Sequence, residues 1–310
     1  MIWAHKDLIG MDALGRDDIE NIFDIATSFK EISTREIKKI PTLRGKTVVL
    51  LFYEPSTRTR MSFEIAAKRL SADTVSLSAS GSSFEKGETI LDVARNIMTM
   101  APDCIVIRYP HAGIPELLAQ TLPCSIINAG DGFHEHPTQA LLDIYSIRDH
   151  FGYTEGLNVL IAGDIMHSRV AKSNVYGLKK FGANVTLVAP KTLLPPGIDK
   201  WGADVCTDFD SALPDADVVM MLRIQKERIE QQFFSGEREY ALFYGLDKSR
   251  VEQMKEGAII MHPGPVNRGV EITYDATESA RSVILNQVEN GLAIRMALLY
   301  LFLGGGKRVD

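Results

Sequence analysis

Thr47-Val48-Val49-Leu50-Leu51-Phe52-Tyr53-Glu54-Pro55-Ser56-Thr57-Arg58-Thr59-Arg60 decides the fold of this 310-residue chain. The opening run from Thr47 to Phe52 carries no polar alternation, which is the pattern of a strand covered on both faces. The polar turn after it leads into Arg60 to Leu70, where apolar residues recur at helical spacing. The same unit returns along the chain. Cys104-Ile105-Val106-Ile107, Ser125-Ile126-Ile127, Asn158-Val159-Leu160-Ile161, Asn184-Val185-Thr186-Leu187-Val188, Asp217-Val218-Val219-Met220-Met221 and Ala258-Ile259-Ile260-Met261 are all short apolar runs followed by polar loops. A second helical pattern runs from Thr138 to Asp149, inside a helix expected over 136–150. Strand, loop and helix in repetition predict an α/β protein built on doubly wound parallel sheets.

The length exceeds the roughly 250–300 residues at which one hydrophobic core stops growing, so two domains are expected. The divide is placed near residue 150, giving domains 1–150 and 151–284. A closing helix over 281–303 carries Leu285, Val288, Leu292 and Leu299 at helical spacing and stops at Gly304-Gly305-Gly306. The stretch from Gln231 to Tyr244 reads as irregular and polar. With 34 Lys and Arg against 40 Asp and Glu, the net charge is −6 and no basic run occurs. Nucleic acid and anionic membranes are therefore not expected as partners, because both are bound by clustered cations. The start lacks a basic segment followed by an apolar one, and the late apolar run Met296 to Leu303 falls far short of the ~20 residues of a spanning helix. A cytoplasmic protein is expected. Cys104, Cys124 and Cys206 are odd in number and show no C-x-x-C spacing, so they read as small buried hydrophobes in a reducing compartment.

Ligands of parallel sheets gather where strands end and helices begin. Thr47 to Tyr53 is followed by Ser56-Thr57-Arg58-Thr59, with hydroxyls, backbone N–H groups and a guanidinium at a helix start, a cradle for phosphate. No Walker A loop is present. Cys104 to Ile107 is followed by Arg108, and Ser125 to Ile127 by Asn128-Ala129-Gly130-Asp131-Gly132 and then His136-Pro137-Thr138-Gln139. Arg108, His136 and Thr59 are expected to converge on one carbonyl beside that cradle, as donors to a developing oxyanion. In the second half, strands lead to Gly163-Asp164 and Arg169, to Arg223 and Gln225, and to His262-Pro263-Gly264-Pro265. Two arginines suit a dicarboxylate, since each guanidinium can make two parallel hydrogen bonds to a carboxylate. Taken singly, each of these residues could be a cap or a surface ion pair, and Lys86, in the polar loop Ser82 to Thr89, has no role of its own.

Taken together, Phe52 to Arg60, Lys86-Gly87-Glu88-Thr89, His136 to Asp143, Arg223-Ile224-Gln225-Lys226-Glu227-Arg228 and His262-Pro263-Gly264-Pro265-Val266-Asn267-Arg268-Gly269 resemble the carbamoyltransferase family. Within it they resemble the aspartate-specific catalytic chains, and the likeness covers essentially the whole length. An ornithine-specific member is expected to carry His-Cys-Leu-Pro where His262-Pro263-Gly264-Pro265 stands. The resemblance implies a carbamoyl-phosphate domain completed by the C-terminal helix (285–310), an aspartate domain, and an active site between them. It implies that Ser56, Thr57, Arg58 and Thr59 hold the phosphate, that Arg108, Thr59 and His136 polarise the carbamoyl oxygen, and that Gln139 holds the carbamoyl amide. Arg169 is implied for the α-carboxylate of aspartate, and Arg223 with Gln225 for its β-carboxylate. Gly264-Pro265 is implied as a cis bond near both substrates, with Gly264 standing where some members have Leu or Ala. Members are homotrimers with shared sites, to which a neighbour contributes Ser82 and Lys86. No cofactor and no metal are implied. Regulatory-chain or dihydroorotase association is left open.

The implied reaction is carbamoyl transfer from carbamoyl phosphate to the α-amine of L-aspartate, an early step of de novo pyrimidine (UMP) biosynthesis. It needs no protein nucleophile, because phosphate leaves from a tetrahedral intermediate. A dinucleotide-dependent oxidoreductase is disfavoured because Ile161-Ala162-Gly163-Asp164 lacks the G-x-G-x-x-G turn. A non-catalytic scaffold is disfavoured because every chemical position is filled by a competent residue. A carbamoyltransferase for another amino acid is the nearest alternative.

Overall fold

Continuous β-branched runs must have both faces covered, and here they are gathered into two separate parallel sheets. The computed structural model describes residues 3–78, 87–225 and 236–304. The chain divides into two compact units, Met1–Leu142 with Glu289–Asp310, and Asp143–Val288.

The first unit contains α1 (Arg16–Ser33), β1 (Thr47–Phe52), α2 (Thr57–Arg69), β2 (Asp73–Ser78), α3 (Ile90–Met98), β3 (Cys104–Tyr109), α4 (Ile114–Thr121), β4 (Ser125–Asp131) and the start of α5 (Pro137–Phe151). Its strands lie in the order β2-β1-β3-β4, all parallel. Val49, Leu51, Ile105, Ile107 and Ile126 form one core face with Ala94 and Ile97 of α3 and Leu118 of α4. The second unit contains β5 (Asn158–Ala162), α6 (Arg169–Lys180), β6 (Asn184–Val188), β7 (Asp204–Cys206), α7 (Phe209–Ala212), β8 (Val218–Met221), α8 (Glu237–Tyr244), α9 (Lys248–Gln253), β9 (Ile259–Met261) and α10 (Tyr274–Thr277). Its strand order is β7-β6-β5-β8-β9, again all parallel. The last helix, α11 (Ile284–Leu303), packs its later turns into the first unit, with Tyr300 edge-on to Phe29 of α1 and Arg295 over the Phe63 ring of α2.

All seven expected strands are present, and two more are found that sequence patterning does not reveal. Both are edge strands. β2 alternates polar and apolar residues and leaves Val75 half exposed, and β7 is only three residues long. β3 extends to take in Arg108, and β4 to take in Asn128 through Asp131. Leu285 and Val288 keep the helical spacing of α11 but are 81% and 54% exposed, so only its later turns are core. Residues 237–244, expected to be irregular, form α8; it buries only Tyr240 and so shows no apolar stripe. Cys104 and Cys124 are buried free thiols, and burial pushes the first well up and the second to about 11, which leaves both inert. No described helix is long and apolar enough to cross a membrane.

Gly163, just after β5, has φ +142°, and a Cβ there would lie 2.6 Å from the carbonyl oxygen of Leu222 after β8. Only glycine lets these two strand ends approach so closely. Gly163→Ala should destabilise the second unit by about 2–4 kcal/mol, measured by chemical denaturation, because strain and overpacking act together.

Candidate active site

Each sheet reverses its winding direction once. In the first unit the chain moves outward from β1 to β2 and then crosses back to β3 and β4, so the reversal lies between β1 and β3. In the second it moves from β5 to β6 and β7, then crosses to β8 and β9, so the reversal lies between β5 and β8. Such switch points leave a crevice at the carboxyl ends of the strands.

At the first switch point β1 hands the chain to α2. Ser56 is the N-cap residue, its side chain makes no capping bond, and no acidic residue occupies the first turn. The first turn carries Arg58 instead, with Arg60 next, so cations sit at the positive end of the helix dipole. Helix stability alone disfavours that placement, and an anion bound at the end of α2 would offset it. Thr59 is buried while Thr57 and Arg58 are exposed. On the neighbouring strand Arg108 stands in register with Phe52, and its Nη2 donates to Glu54 at 2.6 Å and its Nη1 to the carbonyl of Ala129 at 3.3 Å. β4, next in the sheet, leads to His136, buried at the start of α5, whose carbonyl accepts from the N–H groups of Gln139 and Ala140. The Thr138 hydroxyl lies 3.5 Å from His136 Nδ1, and Gln139 is buried one turn further on. The three adjacent strands β1, β3 and β4 thus bring Ser56 to Thr59, Arg108, His136 and Gln139 to one sheet edge. Lys86 and Ser82 lie outside the described residues.

A buried polar cluster fixes the segment that ends on His136. Asp131 accepts hydrogen bonds from Asn128 Nδ2 (2.8 Å), Gly113 N–H (2.9 Å) and Glu135 N–H (3.2 Å), and faces His134 Nδ1 at 3.2 Å. Glu135 in turn accepts from the N–H of Met11 at 3.2 Å. Burial alone would raise the Asp131 pKa, but the bonds from His134, Gly113 and Asn128 outweigh it and hold the carboxyl below its ordinary range.

At the second switch point, Arg169 opens α6. It is only 4% exposed and again stands at the positive end of its helix, with Ser168 capping through a bond from the Ala171 N–H. Arg223 and Gln225 follow β8, and Gly264-Pro265 follows β9, with the expected cis bond present. Asp164 organises this edge. It is fully buried, takes His167 Nδ1 at 2.8 and 3.0 Å, and accepts from the Gln225 N–H at 3.4 Å, while Gln225 Nε2 donates to the His167 carbonyl at 2.9 Å. Glu54, Asp131, Glu135, Asp164 and His167 were not among the sequence-predicted site residues. Lone acids in turns carry no spacing signal of their own.

Among the described residues no group of His, Cys, Asp and Glu is placed to hold a metal ion. A separate basic concavity of about 1000 Å³, lined by Lys38, Lys39, Arg60, Lys68 and Arg69, contains none of Ser56 to Thr59, Arg108 or His136.

Two parallel-sheet units, each placing arginines beside its switch point, define an α/β architecture with a candidate anion site in each unit. The chain belongs to the aspartate/ornithine carbamoyltransferase family: residues 6–149 match its carbamoyl-P binding domain and residues 155–302 its Asp/Orn binding domain. It is 56% identical over 310 residues to the aspartate carbamoyltransferase catalytic subunit of Desulforapulum autotrophicum, covering 100% of this chain and 99% of that one. Among solved structures, aspartate transcarbamoylase from Trypanosoma cruzi in complex with carbamoyl phosphate and aspartate matches with a TM-score of 0.87 at 28% identity, over 97% of this chain and 98% of that one. Ornithine carbamoyltransferase from Pyrococcus furiosus matches with a TM-score of 0.86 at 30% identity, over 99% and 100%.

Asp131→Asn should lower the thermal midpoint at pH 7. A carboxyl with a depressed folded pKa stabilises above its unfolded pKa and loses that contribution as pH falls through the folded value. The gap between wild type and variant should therefore be full above the ordinary carboxylate range near about pH 4 and narrow progressively as pH falls below it, and a gap that widens with falling pH would contradict this role.

Proposed function

We propose that the chain transfers the carbamoyl group of carbamoyl phosphate to the α-amine of L-aspartate, giving N-carbamoyl-L-aspartate and phosphate, an early step of de novo pyrimidine synthesis. The observation that carries this reading is the presence of arginines at the positive ends of both α2 and α6, each at a switch point, where anionic ligands offset an otherwise unfavourable placement. The nearly full-length identity to a protein named as an aspartate carbamoyltransferase catalytic subunit supports it.

In this reading Ser56, Thr57, Arg58 and Thr59 hold the phosphate through hydroxyls, guanidinium and the free N–H groups of the first turn. Arg108, Thr59 and His136 donate to the carbamoyl oxygen, and Gln139 orients the amide. Arg169 takes the α-carboxylate, and Arg223 with Gln225 the β-carboxylate, beside Gly264 and Pro265. The α-amine attacks the carbamoyl carbon, a C–N bond forms, and negative charge grows on the oxygen facing those three donors. The C–O bond to phosphate then breaks, and the leaving phosphate takes the amine proton. No side chain acts as nucleophile, so the rate enhancement comes from positioning and from oxyanion stabilisation. An ornithine acceptor fits less well, because it carries no second carboxylate for Arg223 and Gln225.

We further propose a cytoplasmic homotrimer with shared sites, in which Ser82 and Lys86 of one copy complete the site of its neighbour, and in which Lys86 is catalytic and meets aspartate.

Assay of carbamoyl aspartate formation against a panel of aspartate and ornithine tests the acceptor, and turnover of ornithine alone would refute it. Arg108→Ala and His136→Ala should each lower kcat by about 10²–10³, the usual cost of one oxyanion donor at ~3 kcal/mol. Near-normal turnover in either variant removes that residue from its role. Lys86→Ala and Arg58→Ala chains, inactive separately, should recover part of the activity when mixed, because some sites in mixed trimers receive both intact residues. Absence of recovery in assemblies shown to be mixed counts against shared sites.

A further inference from the structure

In the second unit Asn267, Glu271 and His262 form a connected set that none of the roles above uses. Glu271 is fully buried, and its Oε1 accepts from His262 Nε2 at 3.2 Å and from the Asn267 backbone N–H at 2.5 Å. His262 Nδ1 accepts from the Gly264 N–H at 2.7 Å, which leaves the ring proton on Nε2, directed at the Glu271 carboxylate. The backbone N–H of His262 donates to Gln287 Oε1 at 2.9 Å, and Gln287 Nε2 donates to the buried Asp143 at 2.8 Å. The turn from 262 to 271 is thus pinned by buried groups at its start and at its end.

The side chain of Asn267 then reaches out of its own turn to the loop after β8. Its Oδ1 accepts from Arg223 Nε at 3.4 Å and its Nδ2 donates to the carbonyl of Ile224 at 3.0 Å. A turn asparagine ordinarily bonds to its own backbone neighbours. This one bridges a guanidinium and the main chain beside it, 44 residues away in sequence from Arg223. A bond to Nε fixes the plane of a guanidinium, and with it the direction from which the guanidinium can meet a carboxylate.

We infer that Asn267 is a positioning residue for acceptor recognition: it holds Arg223 through Nε and so orients its guanidinium toward the distal carboxylate of the acceptor, and the buried Glu271–His262 pair fixes Asn267. The assignment rests on the aspartate reading above. It adds a source of acceptor affinity that lies one bond removed from the ligand.

The test is a double-mutant cycle in the full chain with Asn267→Ala, Arg223→Ala and the double variant, reading KM for aspartate, KM for carbamoyl phosphate and thermal stability. Asn267 is only partly buried, so its variant should fold. Asn267→Ala should raise the aspartate KM about tenfold and leave the carbamoyl phosphate KM within about twofold, and the double variant should be no worse than Arg223→Ala alone, because Asn267 acts through that arginine. An unchanged aspartate KM in Asn267→Ala, or multiplying losses in the double variant, overturns the assignment. Glu271→Ala should also raise the aspartate KM, and Glu271→Gln, which keeps an acceptor for both N–H donors, should recover most of that loss. Equal KM values for folded Glu271→Ala and wild type overturn the Glu271 part. A wild-type chain that forms no carbamoyl aspartate overturns the proposed function and this assignment together. Wild-type turnover with an unaffected Asn267→Ala overturns this assignment alone.

Discussion

A parallel strand can be followed by another only through a crossover, and crossovers of one hand place their helices on opposite faces when the winding direction changes. At that change two neighbouring strands send their loops apart, and the gap between the loops is not filled by the chain itself. Each unit of this protein contains one such gap, between β1 and β3 and between β5 and β8. The candidate residues depend on it. Ser56 to Thr59, Arg108, His136 and Gln139 leave adjacent strands around the first gap, and Arg169, Arg223 and Gln225 leave the two strands that flank the second. Gly163 shows how tightly the second gap is drawn, since even one added carbon would collide with the end of β8.

Charge follows the same geometry. The chain as a whole carries −6, which sets its behaviour toward polyanions, yet arginines stand at two helix N-termini, where the backbone is already positive. An anionic ligand bound there would convert both from a cost to a gain. Acids supply the complementary part. Glu54 holds Arg108 in an ion pair, Asp164 holds His167 and the Gln225 backbone, and Asp131 shapes the segment before His136. Local propensity is violated at these positions, as expected where a site is built on a scaffold.

Much of this was legible from the residues alone. Buried central strands announce themselves because both of their faces must be apolar, so Thr47–Phe52 and Asn184–Val188 were read to the residue. Edge strands β2 and β7 were not, since one side of each meets solvent and alternation or brevity hides them. In α11 the spacing of Leu285 and Val288 matched a core face, but these residues precede the turns that dock, and periodicity cannot say where along a helix its cover ends. Cationic and hydroxyl residues that leave strand ends were legible as a site because their position alone makes them odd. The acids that orient them were not, because a carboxylate in a turn gives the same signal whether it caps, solvates or organises a catalytic loop.

The division of the chain also has a temporal side. Residues Asp143–Val288 form one contiguous unit, but the first unit is completed only by residues from Glu289 onward. Ala293, Ile294, Met296, Ala297, Leu298 and Leu299 of α11 are all buried, so the surface that receives them is bare until the second unit has been synthesised. On a ribosome, where domains fold in order of emergence, the nominally first unit is therefore the last to be finished. Its apolar seam stays open to solvent and to other nascent chains for the whole time the intervening unit is being made.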